Sequence, residues 1–373
     1  MKTKARKEFS EVWRSAAERV DRQLREFLPP NLTDEDVASF LLTQKGEDDP
    51  ALYTRMISEP AWKLLERGGK RWRPIFGIHL LGALGRDPGP FERLIAVLSE
   101  LTHTGSLIID DIQDRSSARR GGACVHLCYG DGPAINAANV LYFMPQLLIM
   151  SQSGLTARRK LEIHQILVRQ FVRAHFGQAR DLDRPAPLTK AALKSLPGRS
   201  ADVNILRTYE LKTAAPIAGL AEVCAVIAGS VPAVRRDCVE FGRALGTAFQ
   251  IVDDVRDFDR PGKSGRECGK DLGEGKITYA ILRALECLRG SARDELIDIL
   301  TSRTRRSNPA DRARGLTLVR RSGALAACRR EAEAMVAPVW RTLAARLSSS
   351  GHKKFLKQLV AHLMDNPAGI ERL

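Results

Sequence analysis

Apolar side chains recur at three- and four-residue spacing through residues 91–109, 161–176, 239–252 and 277–288, laying one greasy stripe along each stretch. The alternation of Val, Thr and Ile that marks a half-buried strand is nearly absent. Breaks fall at strong turn chemistry: Gly85 to Pro90, Gly130 to Pro133, Pro185-Ala186-Pro187, Pro197-Gly198, and Pro261-Gly262 through to Gly275. The pattern predicts amphipathic helices joined by turns, with no Ser/Gly linker dividing them. The expected fold class is all-α, a single large helical bundle over residues 51–373 with a polar, partly helical lead-in over residues 1–50. Residues 303–323 read as a basic loop-and-helix segment.

Residues 214–231 (AAPIAGLAEVCAVIAGSV) are apolar almost throughout, over 18 positions. Pro216 and Glu222 interrupt the run, and at about 1.5 Å per residue it barely reaches the roughly 30 Å of a hydrocarbon core. It reads as the central helix of a soluble bundle rather than a membrane span.

Composition narrows the class. The 373 residues carry 59 Lys+Arg against 44 Asp+Glu, a formal net charge of +15, and 44% of them are hydrophobic. These proportions exclude a disordered tail protein and a collagen-like chain. Seven cysteines without a CxxC pair, and an N-terminus charged throughout, argue against a secreted disulfide scaffold and for a reducing, cytoplasmic setting. Arg303, Arg305, Arg306, Arg312, Arg314, Arg320, Arg321, Arg329 and Arg330 read as a solvated helix face, with peripheral contact to an anionic membrane as the sharper alternative. No aromatic-interleaved basic ribbon supports nucleic acid as a partner.

The chemistry begins with a repetition. Asp110-Asp111-Ile112-Gln113-Asp114 and Asp253-Asp254-Val255-Arg256-Asp257 each close an apolar helix. Asp110 with Asp114, and Asp253 with Asp257, share a helix face at i,i+4, where like charges repel. Both sets also sit at the helix end where the macrodipole disfavours carboxylate. An exposed acidic turn explains one such cluster but not two. A hard divalent cation such as Mg²⁺, which takes one or two carboxylates and fills its shell with water and phosphate oxygens, explains both.

Cations surround them in sequence. Gly68-Gly69-Lys70-Arg71-Trp72-Arg73-Pro74 joins a glycine turn to three basic side chains and a proline at a helix start, a pattern suited to a diphosphate. Arg119-Arg120-Gly121-Gly122 follows the first cluster, and Lys212-Thr213, Arg266, Lys270 and Lys276 add further candidates. His103 lies two helical turns before Asp110. Cys124, His126 and Cys128 are soft-ligand types, but only three and too tightly spaced for a zinc site. Glu100, Glu210 and Glu222 read as helix partners.

The set resembles the trans-isoprenyl diphosphate synthase (polyprenyl synthetase) family. The matching stretches are GGKRWRP (68–74), HTGSLIIDDIQDRSSARRG (103–121), GQARDL (177–182), YELKTAAP (209–216), FQIVDDVRDF (249–258) and GKDLGEGKITYAIL (269–282), in family order. The resemblance implies a helical bundle of the isoprenoid synthase type around a central apolar cavity, and a homodimer. It implies that Asp110, Asp114 and Asp253, with Asp257 near, hold about three Mg²⁺ against an allylic diphosphate, Asp111 and Asp254 supporting them. It further implies that Arg119, Lys212 and Lys276 bind that diphosphate, and that Lys70, Arg73, His103 and Arg120 bind isopentenyl diphosphate. Thr213 and Gln250, with Gln178 near, would face the allylic cation. One departure stands out: Arg266 falls where the family usually has Lys, and Lys270 is the alternative to it.

The activity implied is Mg²⁺-dependent 1′-4 condensation of isopentenyl diphosphate with an allylic diphosphate to an all-trans product. Gly105 and Ser106 read as small residues on the inward face before Asp110, leaving the growing chain room. Tyr142, Phe143 and His175 resemble the pocket floor of geranylgeranyl diphosphate synthases, which points to a C20 product. A farnesyl or longer-chain synthase is the near alternative. A class I terpene cyclase usually lacks a second DDxxD, and a regulatory subunit often loses one of the two.

Overall fold

The helices expected from periodicity form, as a computed structural model describing residues 2–183, 189–195, 199–258 and 268–364 shows. The chain divides into two compact units. The first comprises Met1–Gln165, Val226–Gly229 and Ser348–Leu356, the second Ile166–Ala225, Ser230–Leu347 and Lys357–Leu373.

In the first unit the lead-in begins with a long helix, α1 (Lys2–Phe27). Its Ala16, Val20 and Leu24, spaced by four, are fully buried. They face α2 (Trp72–Ala83), which is buried along nearly its whole length, and α3 (Glu92–Gln113), whose last turn carries the first aspartate cluster. A two-stranded hairpin follows, β1 (Ala118–Arg119) paired antiparallel with β2 (Gly122–Ala123). Arg120 and Gly121 turn it with φ of 50° and 76°, the pair of positive values a two-residue hairpin loop needs.

α4 (Asp131–Phe143) then packs across α3. At Gly105 the crossing is so close that a Cβ would lie 2.6 Å from the Ala138 carbonyl oxygen. This corrects the reading of Gly105: its smallness admits a neighbouring backbone and does not open a space.

α5 (Ala157–Leu182) enters the second unit at Ile166. There α6 (Arg199–Tyr209) runs into a π-helical turn, Glu210–Ala214, and on into α7 (Ala215–Ala228). Two helical stretches, Asp131–Ser151 and Ala201–Ala228, could cross a membrane by length and composition alone; 67% of the apolar window of the second is buried inside the protein, as for a core helix.

α8 (Pro232–Asp257) ends in the second aspartate cluster, and α9 (Lys270–Glu274) and α10 (Tyr279–Cys287) follow. The basic 303–323 stretch is more helical than expected, forming α11 (Arg303–Ser307) and α12 (Pro309–Arg321). Its charge is partly spent internally: Arg305 pairs with Asp311 at 2.6 Å, Arg314 with Glu295 at 2.9 Å, and Arg320 donates to the Phe258 carbonyl. α13 (Ala324–Ala344) packs along α8, Trp340 against Phe241.

Candidate active site

In the first unit the GGKRWRP loop is built around Arg71. This residue has φ 47° and is 3% exposed. It donates to Glu100 at 2.7 Å, to Asp21 at 2.8 Å and to the Leu65 carbonyl. A buried guanidinium with three acceptors is a fixed post, and Glu100 of α3 pairs with this loop residue rather than with another helix. Lys70 is left exposed on one side of it. On the other, Arg73 donates to His103 Nε2 at 3.2 Å. Burial, with Arg73, Arg120, Arg119 and Arg71 nearby, holds His103 well below its ordinary pKa, so the ring is neutral and its acceptor nitrogen faces Arg73.

The hairpin returns Arg119 and Arg120 to the same region. Arg120 donates to the Gly68 carbonyl and lies against Gly69, where a Cβ would come within 3.1 Å of its guanidinium. Arg119 donates to Asp111 Oδ1 from Nε at 2.8 Å and lies 3.7 Å from Asp110. Arg73, Arg119 and Arg120 therefore gather around the neutral His103, and Arg119 reaches the half-buried Asp110. Asp111 differs from its neighbours. It is 1% exposed, gripped by Arg119 on one oxygen and unpartnered on the other, so its place is behind the exposed carboxylates rather than among them.

In the second unit the π-helical turn aims Lys212 and Thr213. Such turns are rare and cluster at functional sites. Gly177 makes room for it, since a Cβ there would overlap the backbone of Lys212. Lys212 and Lys276 both reach Asp181 of α5, at 2.8 and 2.9 Å. Burial alone would raise the Asp181 carboxyl, but Lys276 and Lys212 outweigh it and hold it at about 2.

Thr213 donates to Gln250 Oε1 at 2.8 Å, and Gln250 Nε2 donates to Asp254 Oδ1 at 3.0 Å. Asp254 is 3% exposed and accepts on its other oxygen from the Tyr209 hydroxyl and the Tyr279 N–H. Burial pushes its carboxyl up to about 7 in spite of these donors. Asp253 stays half-buried at the surface of the cluster, 3.7 Å from Arg256.

Asp257, expected near the metal ligands, has a second task in the fold. Its Oδ1 accepts the Lys270 N–H and its Oδ2 the Asp271 N–H, both at 3.1 Å, so the carboxylate caps α9. Lys270 pairs with Glu274 at 3.5 Å, and Arg266 lies outside the described residues.

A sequence model of one family, described as Polyprenyl synthetase, matches residues 54–315. The chain belongs to the polyprenyl synthetase family. It is thereby a prenyltransferase that builds trans-prenyl diphosphates. Among curated members, the short chain isoprenyl diphosphate synthase of Methanothermobacter thermautotrophicus is 34% identical over 64% of this chain and 70% of its own length. The octaprenyl diphosphate synthase of Escherichia coli is 28% identical over 68% and 73%. Among solved structures, a polyprenyl synthase from Caulobacter crescentus, crystallised with calcium and isoprenyl diphosphate, superposes with a TM-score of 0.75 at 24% identity, covering 96% of this chain and 97% of that one. Relatives of one fold thus make products of very different length.

The carboxylates of this polyprenyl synthetase fit a hard divalent cation. Asp110 and Asp114 in the first unit, and Asp253 in the second, each offer oxygen donors alone, and among the described residues no three His, Cys, Asp or Glu side chains form a closed metal cage. An open set finished by water and phosphate oxygens is how Mg²⁺ binds. The chain-length residues are less uniform. Tyr142 is partly buried, and burial together with Asp110 pushes its hydroxyl up to about 12. Phe143 is 66% exposed and His175 is exposed too, so neither closes a buried pocket within a single chain.

Three residues in the second unit escaped the sequence reading: Asp181, Tyr209 and Asp271, the last pushed up by burial with Asp254 and Asp257 beside it. Each lies inside a motif that was noticed. The signal for Asp181 was the acid of GQARDL, whose lysine partners are supplied from later in the chain.

Proposed function

We propose that this polyprenyl synthetase condenses isopentenyl diphosphate with an allylic diphosphate in the presence of Mg²⁺ and releases geranylgeranyl diphosphate. The observation that carries this reading is the pair of aspartate clusters, each with its own cations: Arg119 with Asp110 and Asp111 in the first unit, and Lys212, Lys276 and Asp253 in the second.

In the first unit, Lys70, Arg73, Arg120 and neutral His103 form a fork-and-donor set for isopentenyl diphosphate, and Arg119 serves the metal-bound allylic diphosphate at Asp110 and Asp114. In the second, Lys212 and Lys276 take charge from the departing diphosphate, which is where electrostatic stabilisation lowers the barrier. Bound at these carboxylates, Mg²⁺ would neutralise the same charge. Thr213 and Gln250, with Gln178 near, present uncharged oxygens to the allylic cation. The alkene of isopentenyl diphosphate attacks that cation, forming the new C–C bond, and a proton passes to the released diphosphate.

Val168, Val172 and Phe176 form an exposed apolar stripe on α5 at four-residue spacing, which supports a homodimer through that face. The seven free thiols support a cytoplasmic setting. Incubation with dimethylallyl, geranyl and farnesyl diphosphate in turn, each with isopentenyl diphosphate and Mg²⁺, tests the reading when products are sized after phosphatase treatment. A C20 alcohol is the expected product. Diphosphate release that does not depend on isopentenyl diphosphate would point to a cyclase instead.

A further inference from the structure

The hydrogen bonds around Asp254 run in one direction, and that direction has a consequence for Thr213. The Gln250 amide, the Tyr209 hydroxyl and the Tyr279 N–H all donate to Asp254. One oxygen takes the Gln250 Nε2–H, which leaves the Gln250 Oε1 as an acceptor and turns it toward Thr213. The Thr213 hydroxyl therefore spends its proton on Gln250 and presents lone pairs on its free side. The other carboxylate oxygen is held by the Tyr209 hydroxyl and the Tyr279 N–H, and that same N–H lies 3.1 Å from the Tyr209 oxygen. Tyr209 is 6% exposed, and its hydroxyl is directed to Asp254 rather than to Thr213 or Gln250.

We infer that Tyr209 is a positioning residue for the prenyl transfer: by holding Asp254 as an oriented acceptor, it sets the Gln250 amide and thereby the polarity of the Thr213 hydroxyl. This rests on the assignment of Thr213 and Gln250 to the allylic cation. The chain matters because a hydroxyl turned the other way would offer its proton to a developing carbocation, an unfavourable dipole. Without the Tyr209 hydroxyl, Asp254 keeps a single backbone donor on that oxygen and is free to rotate, and the amide is no longer fixed in one of its two orientations. No proton moves in the reaction through this network.

The test is a double-variant cycle on the full-length protein with farnesyl diphosphate, isopentenyl diphosphate and Mg²⁺, reading kcat and KM together with thermal melting. Tyr209→Phe keeps the ring and removes only the hydroxyl. It is expected to lower kcat about tenfold, less than the roughly 10²–10³-fold effect of a donor in direct contact because Tyr209 acts through Asp254 and Gln250, with KM for the allylic substrate within twofold. The double variant Tyr209→Phe/Thr213→Val is expected to be no slower than Thr213→Val alone, because the hydroxyl whose polarity was set is gone. Asp254→Asn, which lets the amide network reverse, is a second route to the same loss should Tyr209→Phe fold poorly. A kcat for Tyr209→Phe within twofold of the parent, or losses that multiply in the double variant, would overturn the inference, and so would a loss that appears only as a lower melting temperature. Parent turnover is measured first. Its absence sinks the synthase reading and this inference with it, whereas normal parent turnover with an indifferent Tyr209→Phe sinks this inference alone.

Discussion

The two DDxxD clusters share a spelling and a helix end, yet their second and third aspartates are put to different uses. Asp111 and Asp254 are both buried, at 1% and 3% exposure, but Asp111 is held by a guanidinium and Asp254 by a phenol, an amide and a backbone N–H. The difference follows from what the chain does next. After Asp114 a tight hairpin brings Arg119 back within reach of the motif. After Asp257 the chain returns with the N-terminus of α9, and Asp257 is taken up in capping it. Burial repeats at all three positions, with Asp110 and Asp253 half-buried, Asp111 and Asp254 buried, and Asp114 and Asp257 half-buried; beyond the first positions it is the partners that differ. The lesson is that a repeated motif repeats its function only at positions where the surroundings repeat as well.

The comparison breaks most sharply at those first positions. Asp110→Asn and Asp253→Asn should each lower kcat by on the order of 10³-fold while leaving the melting temperature unchanged, because neither is a buried partner. Steady-state diphosphate release with Mg²⁺ and both isoprenoid substrates measures this. Equal and large losses at the two sites would sharpen the parallel, and an indifferent Asp253→Asn would break it.

The second positions should fail differently. Asp111→Ala leaves the Arg119 guanidinium without its nearly buried partner, and removing one member of such a pair costs about 3 kcal/mol. Urea unfolding should show that loss, and Asp111→Ala/Arg119→Ala should recover part of it. If Asp111→Ala unfolds like the parent while losing activity, Asp111 acts directly on the substrate and the contrast with Asp110 disappears.

A third expectation sets the lysines of the second unit against the arginines of the first. Asp181 is 9% exposed at its side chain, and its carboxyl is depressed from 3.8 to about 2. A depressed acid contributes stability above its unfolded pKa and loses it as pH falls through the folded value, so the window runs from about 4 down to about 2. The contribution at neutral pH is roughly 2 kcal/mol. Urea unfolding of the parent and Asp181→Asn should differ by that amount at pH 7 and converge near pH 2. A difference constant across that range would remove the ion pairs as its cause.

Much of this was legible beforehand. The helical class followed from spacing alone, because a three-and-four period over long stretches has few other solutions. The cations and carboxylates could be named because their types are unusual for their positions. What sequence could not show was direction. Gly105 looked like an opening and proved to be a close helix crossing, since a missing side chain reads the same whether the space is empty or filled by a neighbour's backbone. Phe143 looked like a floor and is exposed, because an aromatic on a helix carries no mark of which side is covered. Tyr209 and Asp181 act through partners 45 and 31 residues away, a separation that no local pattern encodes.

The smallest expected effect tests the third positions. If Asp257 is a cap, Asp257→Ala removes two acceptors from the first turn of α9 and costs about 1 kcal/mol, the usual scale of a lost cap. Asp257→Asn, which keeps one acceptor oxygen, should cost less. Activity at saturating Mg²⁺ should fall by no more than the few-fold expected from a loosened Lys276, which follows α9 directly. Asp114 is followed by the hairpin rather than by a helix start, so Asp114→Ala should weaken the dependence of rate on Mg²⁺ concentration with a smaller change in stability. A Mg²⁺ titration of the two variants decides between these roles. A right-shifted curve for Asp257→Ala equal to that of Asp114→Ala would make both third aspartates metal ligands, and would mean that the cap opens when metal binds.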